Sequence, residues 1–437
     1  MRKPCKGRCA VIPFLCAIIL ITIGLVLTIN QTLEITLMEG TTRYGLWTSP
    51  MEIMFNIYVF HVTNPEDIMK GGLPRLIERG PYVYNSIIER EILSVDEEKD
   101  EITYNMKKTF FFNKEKSGKF TEDDEIVILN AAYIGTINTL ASLSTSFLKQ
   151  YGGFIQYLFD DENPVFANAK IKDILFDGIS FFCDESKHAK LKLICKTLKG
   201  RKPPIVWNTD VDNHYMYSLF GTINGTWIGP MTINRGVKDL QKLGQLSSIN
   251  NKRVNTFWQS EECNTVKGSD GVAWPSMEEP PARLHIYITE TCRTSFVEYI
   301  KESSMHGFKA WLYKQTSNLW SPSEIDCYCP VVNQQTECPP TGLLDINKCS
   351  VIFISEPHFL HGDPELLSYV QDLKPDEEKH SSFLLLDSLT GAPLHSYRNF
   401  QLNLKVSQLP LELLANVTDG YMPLVWVKEV LIISRNS

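Results

Sequence analysis

The sequence contains none of the short motifs that mark the common enzyme classes. The motifs G-x-S-x-G, H-E-x-x-H and G-x-G-x-x-G and the phosphate-binding P-loop are all missing. Asp160, Asp161 and Glu162 could form a paired-carboxylate site, but a solvated turn after a helix is the simpler interpretation. We therefore expect a protein that is not an enzyme and that uses no cofactor.

Two further absences narrow the function. The formal net charge is −8, so the basic surface that nucleic-acid binding needs is not expected. No C-x-x-C pair occurs, which disfavours a structural zinc site. His358 and His361 could place two imidazoles on one helical face for a metal, although Glu356 and Pro357 favour a turn or strand end there.

An apolar stretch near the amino terminus predicts a membrane anchor. Residues 9–29 carry no charge and follow four basic residues within 1–8. At about 1.5 Å per residue, a helix of this length spans the roughly 30 Å hydrocarbon layer. A cleaved signal peptide, the alternative, would have a shorter apolar core and a small-x-small cleavage site. We predict a transmembrane helix over 9–29, a cytosolic tail over 1–8 and an exoplasmic domain over 30–437. Cys5 and Cys9 are palmitoylation candidates, with unmodified thiols as the alternative.

Cysteines are concentrated in one block. Residues 263–349 hold six of the eleven cysteines, and an even number at this density indicates a disulfide framework. Disulfides persist in oxidising compartments, which agrees with an exoplasmic location. Cys327 and Cys329 are too close to bond each other, so each should pair elsewhere. Spacing alone leaves about a hundred pairings open for the eight exoplasmic cysteines.

Hydrophobic periodicity predicts an α+β fold dominated by strands. Strands are expected at 51–62, from 80 and at 102–112. From 206 onward the pattern is mostly β, with strands expected at 215–227, 283–289, 351–355, 381–386, 395–406 and 422–433. Helices are expected at 292–301 and 364–373. No Gly-, Ser- or Pro-rich linker divides the chain, so we predict one large antiparallel, barrel-like domain with inserted helices.

The stretch 126–159 differs from its surroundings because Lys149 is its one charge and its apolar residues recur at helical spacing. It contains too many Ser, Thr and Asn residues to be a confident second membrane span. With further helices predicted at 169–176 and 186–198, the region 126–198 is expected to be a helical insertion. The sequons at Asn224 and Asn416 predict N-glycosylation.

Several short stretches together resemble the class B scavenger receptor family over about residues 51–427. The stretches that carry the resemblance are 60–65, 80–84, 258–263, 268–271, 292–293, the cysteine block, 357–360 and 424–426. Within the family, the chain is most similar to the insect sensory neuron membrane proteins. That closer resemblance rests on 70–74, 102–104, 173–176 and the pair Cys183 and Cys195.

The resemblance implies a fold and a set of disulfides. The implied fold is an antiparallel β-barrel capped by an apical helical bundle, with a hydrophobic tunnel for lipid. The family also has a second membrane span near its carboxyl terminus, and this sequence ends at Ser437 before such a span, so we expect either a truncated sequence or a shortened form. The implied disulfides are Cys263–Cys327, Cys292–Cys349 and Cys329–Cys338, with Cys183–Cys195 inferred for the two remaining cysteines.

The resemblance also implies a function at the cell membrane, with residues 30–437 extracellular. We expect a receptor or transfer protein for a lipid-derived ligand, such as a pheromone or odorant in sensory neurons. Its expected partners are an odorant receptor and a soluble odorant-binding carrier. The alternative is a scavenger or adhesion receptor for lipoproteins, particles or apoptotic cells, and the expressing cell type distinguishes the two.

The ligand is expected to enter at the apical helices. The residues predicted to line this opening are Phe147, Phe154, Leu158, Phe159, Asp160 and Asp161. Acidic residues 160–162 stand where fatty-acid-binding relatives place lysines. Since an acidic rim repels carboxylates, the sequence predicts a preference for neutral esters, aldehydes or alcohols.

Overall fold

A computed structural model describes residues 20–22, 24, 28, 31–159, 163–200, 202–332, 335–346 and 352–432. The predicted cytosolic tail, 1–8, lies outside the described residues. So does the predicted membrane span, 9–29, apart from residues 20–22, 24 and 28. Among the residues that the structure describes, no helix combines the length and apolar character needed to cross a bilayer.

Strands dominate the described chain. They are β1 Met51–Val62, β2 Leu76–Asp96, β3 Glu101–Phe112, β4 Glu125–Leu129, β5 Phe166–Lys170, β6 Ile179–Phe182, β7 Val206–Asn208, β8 His214–Tyr217, β9 Trp227–Asn234, β10 Leu246–Ile249, β11 Arg283–Ile288, β12 Arg293–Met305, β13 Phe308–Lys314, β14 Val331–Val332, β15 Gln335–Thr336, β16 Leu344–Asp345, β17 Phe353–Ser355, β18 Phe383–Asp387, β19 Pro393–Val406 and β20 Gly420–Ile432.

Helices are short and lie mostly between strands. The α-helices are Thr42–Thr48, Pro65–Ile68, Lys114–Ser117, Ala131–Leu143, Thr145–Tyr151, Leu191–Gly200, Glu261–Asn264, Pro322–Ile325, Pro364–Tyr369 and Glu377–His380. A π-helix spans Asp173–Asp177. Single 3₁₀ turns or short 3₁₀ helices occur at Gly152–Leu158, Gly221–Ile223, Leu240–Lys242, Thr289–Thr291, Ser317–Trp320, Asp326–Tyr328, Pro357–Phe359 and Glu412–Leu414.

Thirteen strands form one antiparallel sheet. Its path runs β10-β9-β3-β2-β1-β20-β19-β18-β13-β12-β11, and β17 with β16 attaches beside β19. The central strands β1 and β20 pair from Met54 opposite Val430 to Val59 opposite Val425. The near-continuous apolar character of β1 predicted such a strand, and the prediction is confirmed.

The two edges of this sheet are joined through Gly268 and Ser269. Leu246, in β10, donates its N–H to the carbonyl of Gly268 at 2.8 Å. Ser269 donates to His285 at 2.8 Å and accepts from Tyr287 at 3.1 Å, both on the β11 side. Gly268 has a φ of 96°, and a Cβ there would lie 2.7 Å from the carbonyl oxygen of His285, so the close approach requires glycine. The sheet therefore wraps into a nearly closed barrel, as the sequence predicted.

The helical region lies at the barrel end where β1 ends and β20 begins, opposite Met51. Its helix Ala131–Leu143 begins at Asn130, whose side chain caps the first turn by accepting backbone N–H groups. Asn138 on this helix donates its side-chain N–H to the carbonyl of Lys405 at 2.9 Å, near the end of β19. The helices are thereby fixed to the barrel rim.

Some predicted elements are wrong. The stretch 292–301 was predicted as a helix, but most of it is strand β12. This strand pairs with β11 on one side and with β13 on the other, as part of the barrel. The strand predicted at 215–227 ends at Tyr217, because the chain turns through Gly221–Ile223 before β9 begins.

The helical insertion also differs in detail from its prediction. The stretch 126–198 includes the hairpin of β4 and β5, because apolar residues 126–129 pair with 166–169. The helix predicted at 169–176 is therefore wrong at its start, which belongs to β5, and its remainder contains the π-helix.

Candidate functional site

Two adjoining cavities occupy the barrel interior. The first has a volume of about 280 Å³, lies toward the helical end and is lined by Phe55 and Phe220 among others. The second has a volume of about 220 Å³ and lies toward Met51 and Leu431. They meet at shared lining residues, which are Lys108, Ile288, Thr289, Glu290, Ser295, Gln315, Arg398 and Glu429.

The two-residue period of the strands explains which side chains line the cavities. Successive side chains on a strand point to opposite faces, so every second residue faces the barrel interior. Most lining residues of three strands follow this period: Met51, Ile53 and Phe55 on β1, Tyr104, Met106, Lys108 and Phe110 on β3, and Ser396, Arg398, Phe400 and Leu402 on β19, where Tyr397 and Asn399 also border the cavities.

The first cavity is predominantly apolar. Phe55 packs edge-on against Phe110 and Phe220, with ring centres 4.9 and 5.4 Å apart. Leu319 and Ile354 contribute further apolar wall. Such a wall can hold an alkyl chain, because each buried CH₂ contributes about 0.8 kcal/mol.

Two ion pairs stand where the cavities meet. Lys108 Nζ lies 2.8 Å from Glu290 Oε1. Arg398 Nη2 donates a hydrogen bond to Glu429 Oε1 at 3.2 Å, and Arg398 Nε lies 2.7 Å from Oε2 of the same carboxylate. Burial disfavours the charged form of Glu290, yet Lys108 and Arg398 hold the pKa of its carboxyl well below the ordinary range. Glu290 is therefore ionised at neutral pH and already paired with Lys108.

The predicted ligand contacts lie outside these cavities. Phe147 stacks on Tyr151 at 4.4 Å, and Phe154 lies against His188 at 4.2 Å, both half-buried at the helical end. Leu158 and Phe159 are buried in the core.

None of these four predicted residues lines either cavity in the described part of the chain. Asp160 and Asp161 lie outside the described residues. The described residues of the predicted opening are therefore not part of either cavity wall.

Sequence reasoning overlooked two lysines beside this aromatic surface. Lys190 Nζ lies 4.8 Å from the ring centre of Phe154 and donates to the carbonyl of Gln150 at 3.1 Å. Lys187 Nζ donates to the carbonyl of Tyr157 at 3.4 Å. Both lysines are about thirty to forty residues away along the chain, so no local pattern placed them here.

The structure brings together three of the predicted cysteine pairs. Disulfides join Cys183 to Cys195, Cys263 to Cys327, and Cys329 to Cys338. Cys292 is also disulfide-bonded. Its predicted partner Cys349 lies outside the described residues, as do the palmitoylation candidates Cys5 and Cys9.

The two sequons differ in exposure. Asn416 is exposed. Asn224 is half-buried, and its side-chain oxygen accepts the backbone N–H of Phe110 at 3.1 Å. Its amide nitrogen, the atom that carries a glycan, is not used in that bond.

The histidines considered for a metal are engaged with carboxylates. His358 Nε2 lies 2.6 Å from Glu78, and His361 lies between Glu356 at 2.8 Å and Glu377 at 3.0 Å. His358 adopts a left-handed φ of 55°, so the two rings do not share a regular helical face. Within the described residues, no group of three or more candidate ligands could hold a metal ion.

Comparison with known proteins identifies relatives over nearly the whole chain. A family model described as the CD36 family matches residues 9–437. The sensory neuron membrane protein 2 of Ostrinia furnacalis is 31% identical over 405 residues, covering 90% of this chain and 77% of that protein. The sensory neuron membrane protein 2 of Manduca sexta is 31% identical over 436 residues, with coverage of 96% and 84%. The sensory neuron membrane protein 1 of Heliothis virescens is 32% identical over 410 residues, with coverage of 92% and 77%.

Proposed function

The chain belongs to the CD36 family, the class B scavenger receptors, and on that basis we propose that it is a membrane receptor for an apolar, lipid-derived ligand. The proposed setting is a sensory neuron, because its relatives bear that name. In this role the protein takes up a pheromone or odorant and passes it to the membrane or to an odorant receptor.

The pair of adjoining barrel cavities is the observation that supports this proposal best. They follow one another along the strands, from Phe55 and Phe110 in the first to Met51 and Ile53 in the second. A chain of methylene groups gains affinity from burial alone, so such a ligand needs no catalytic or metal group.

The proposed path begins at the helical end and leads toward the bilayer. Phe147 and Phe154 are half-buried there and offer an apolar surface to a ligand delivered by a soluble carrier. The second cavity borders Met51, at the start of β1. The predicted membrane span, 9–29, precedes that strand in the chain, so a ligand leaving this cavity would be near the bilayer.

The proposed location is the cell membrane with residues 30–437 outside. The relatives are named membrane proteins. Three disulfides in the described residues agree with an oxidising compartment. The exposed sequon at Asn416 agrees with an exoplasmic surface as well.

Native mass spectrometry of the detergent-solubilised full chain tests this proposal. We expect a co-purifying lipid, or stoichiometric uptake of a labelled long-chain lipid supplied to the empty protein. A folded protein that carries no lipid and takes up neither a labelled ester nor a labelled fatty acid would overturn the proposal.

A further inference from the structure

Arg293 is a buried cation in the wall of the first cavity. It is 4% exposed, and it lines the first cavity, as Ser295 on the same strand does. Its Nε donates weakly to the carbonyl of Thr294 at 3.4 Å. Its guanidinium carbon lies 3.8 Å from the ring centre of Tyr328.

No carboxylate in the described part of the chain binds this guanidinium, and its two Nη atoms have no hydrogen-bond acceptor there. Glu324 acts on it electrostatically, but that carboxylate is bound to Arg283 at 2.6 Å. Burial lowers the pKa of Arg293 to about 10, so the group is still protonated at neutral pH.

The charges that line the first cavity do not balance. Two ion pairs lie where this cavity meets the second one, Lys108 with Glu290 and Arg398 with Glu429. Arg293 is the fifth charged lining residue and adds one positive charge without a partner among the described residues. A buried, unpaired cation is costly, so a monoanion in the cavity would stabilise the protein.

Stacking on Tyr328 accounts for only part of this arrangement. A cation–π contact covers one face of the guanidinium plane and contributes about 0.5–2 kcal/mol. It leaves the edge that carries the Nη atoms unsatisfied. That edge is the part of the group that binds a carboxylate with two parallel hydrogen bonds.

We infer that Arg293 binds the carboxylate of a long-chain fatty acid inside the first cavity, with the alkyl chain along the Phe55 and Phe220 wall. This inference rests on the proposed lipid-binding function and specifies its ligand class. It opposes the preference for neutral ligands that the acidic stretch 160–162 predicts. A comparison of an acid with its own ester decides between the two.

The test measures binding of hexadecanoate and its methyl ester to the detergent-solubilised full chain at pH 8. The wild type should bind the acid at least ten-fold more tightly than the ester. In Arg293→Gln that preference should disappear while ester binding stays within two-fold. Arg293→Lys should retain part of the preference. The matched control Phe220→Leu, on the same cavity wall, should weaken both ligands by the same factor.

The outcomes separate the inference from the function on which it rests. Equal binding of acid and ester by the wild type overturns the inference and leaves the lipid-binding function intact. An acid preference that persists in Arg293→Gln also overturns the inference. Lys187 and Lys190 would then be the next candidates for binding the carboxylate. If neither ligand binds the wild type, the proposed function itself fails. If Arg293→Gln does not fold, the ratio of acid to ester affinity in the wild type and in Arg293→Lys still tests the inference.

Discussion

Trp47 donates its indole N–H to the carboxylate of Asp270, with 3.0 Å between Nε1 and Oδ2. Trp47 belongs to the helix Thr42–Thr48, and Asp270 follows the two residues that join the sheet edges. The other carboxylate oxygen accepts the backbone N–H groups of Val272 and Ala273, each at 2.9 Å. The Asp270 side chain thus stabilises the segment that joins the two sheet edges and also binds the helix Thr42–Thr48 to that segment.

Replacing Asp270 should therefore destabilise the barrel. We expect Asp270→Ala to lower the free energy of unfolding by about 2–4 kcal/mol, since it removes several hydrogen bonds to a charged acceptor and leaves buried donors unpaired. Urea unfolding monitored by tryptophan fluorescence measures the change. The control is Asp239→Ala, an exposed aspartate that caps a single short turn, which should cost about 1 kcal/mol or less. Equal losses in the two variants would contradict a role for Asp270 in closing the barrel.

The motif around Asp270 shows what sequence alone can and cannot provide. Residues 268–271 helped to identify the family, and strand patterning predicted a barrel. Nothing in the local pattern indicated that Gly268 and Ser269 join β10 to β11. Such a contact depends on the register of strands far apart in the chain, which hydrophobic periodicity does not specify.

His361 should make stability depend on pH. Hydrogen bonding to Glu356 raises its pKa, and the charge of Glu377 adds to the effect, while burial opposes both. A group whose pKa rises on folding contributes stability below its unfolded pKa, and that contribution is lost as pH rises through the folded value. His361→Gln should therefore cost about 1–2 kcal/mol more at pH 6 than at pH 9.

Urea unfolding of both proteins at the two pH values measures this difference. The control is His306→Gln, which alters an exposed loop histidine and should give the same small change at both pH values. A cost of His361→Gln that is constant or larger at pH 9 would show that the imidazolium is not the stabilising form.

The two sequons should respond differently to mutation. Asn416→Gln should remove one glycan with little change in stability, because Asn416 is exposed. Asn224→Gln should remove one glycan and also cost about 1 kcal/mol, because the bond from the Phe110 N–H to its side chain is disturbed. Intact mass before and after enzymatic deglycosylation, together with thermal unfolding, checks both. An unglycosylated Asn416 on a secreted-pathway product would argue against an exoplasmic location.

The apolar residues at the helical end should differ in what their substitution changes. Phe154 is half-buried, so Phe154→Ser should slow lipid uptake several-fold, leave the final amount bound nearly unchanged and destabilise the protein less than a change at a fully buried position. Leu158 is 1% exposed, so Leu158→Ala should cost about 2–5 kcal/mol through a core cavity. Stopped-flow transfer of a fluorescent fatty acid measures the uptake rate. An unchanged rate in Phe154→Ser would remove Phe154 from the proposed path.

The sequence predicted the strands of the barrel better than it predicted the residues that line the cavities. The strand β1 was predictable because it is apolar along nearly its whole length. The stretch 292–301 was predicted as a helix, but most of it pairs with β11 and β13, and such pairing overrides local propensity. Arg293 was noted only as part of a family stretch. Its unpaired charge becomes visible once Phe55 and the ion pairs are placed around the same cavity and Tyr328 is placed against the guanidinium.

Filling the barrel at Ser295 tests most directly whether lipid binds inside it. Ser295 lines both cavities where they meet, and Ser304 is exposed on the same strand. Native mass spectrometry should show that Ser295→Phe retains less than a fifth of the lipid bound by the wild type, while Ser304→Phe retains all of it and both variants stay folded. Full lipid occupancy in a folded Ser295→Phe protein would contradict binding within the barrel.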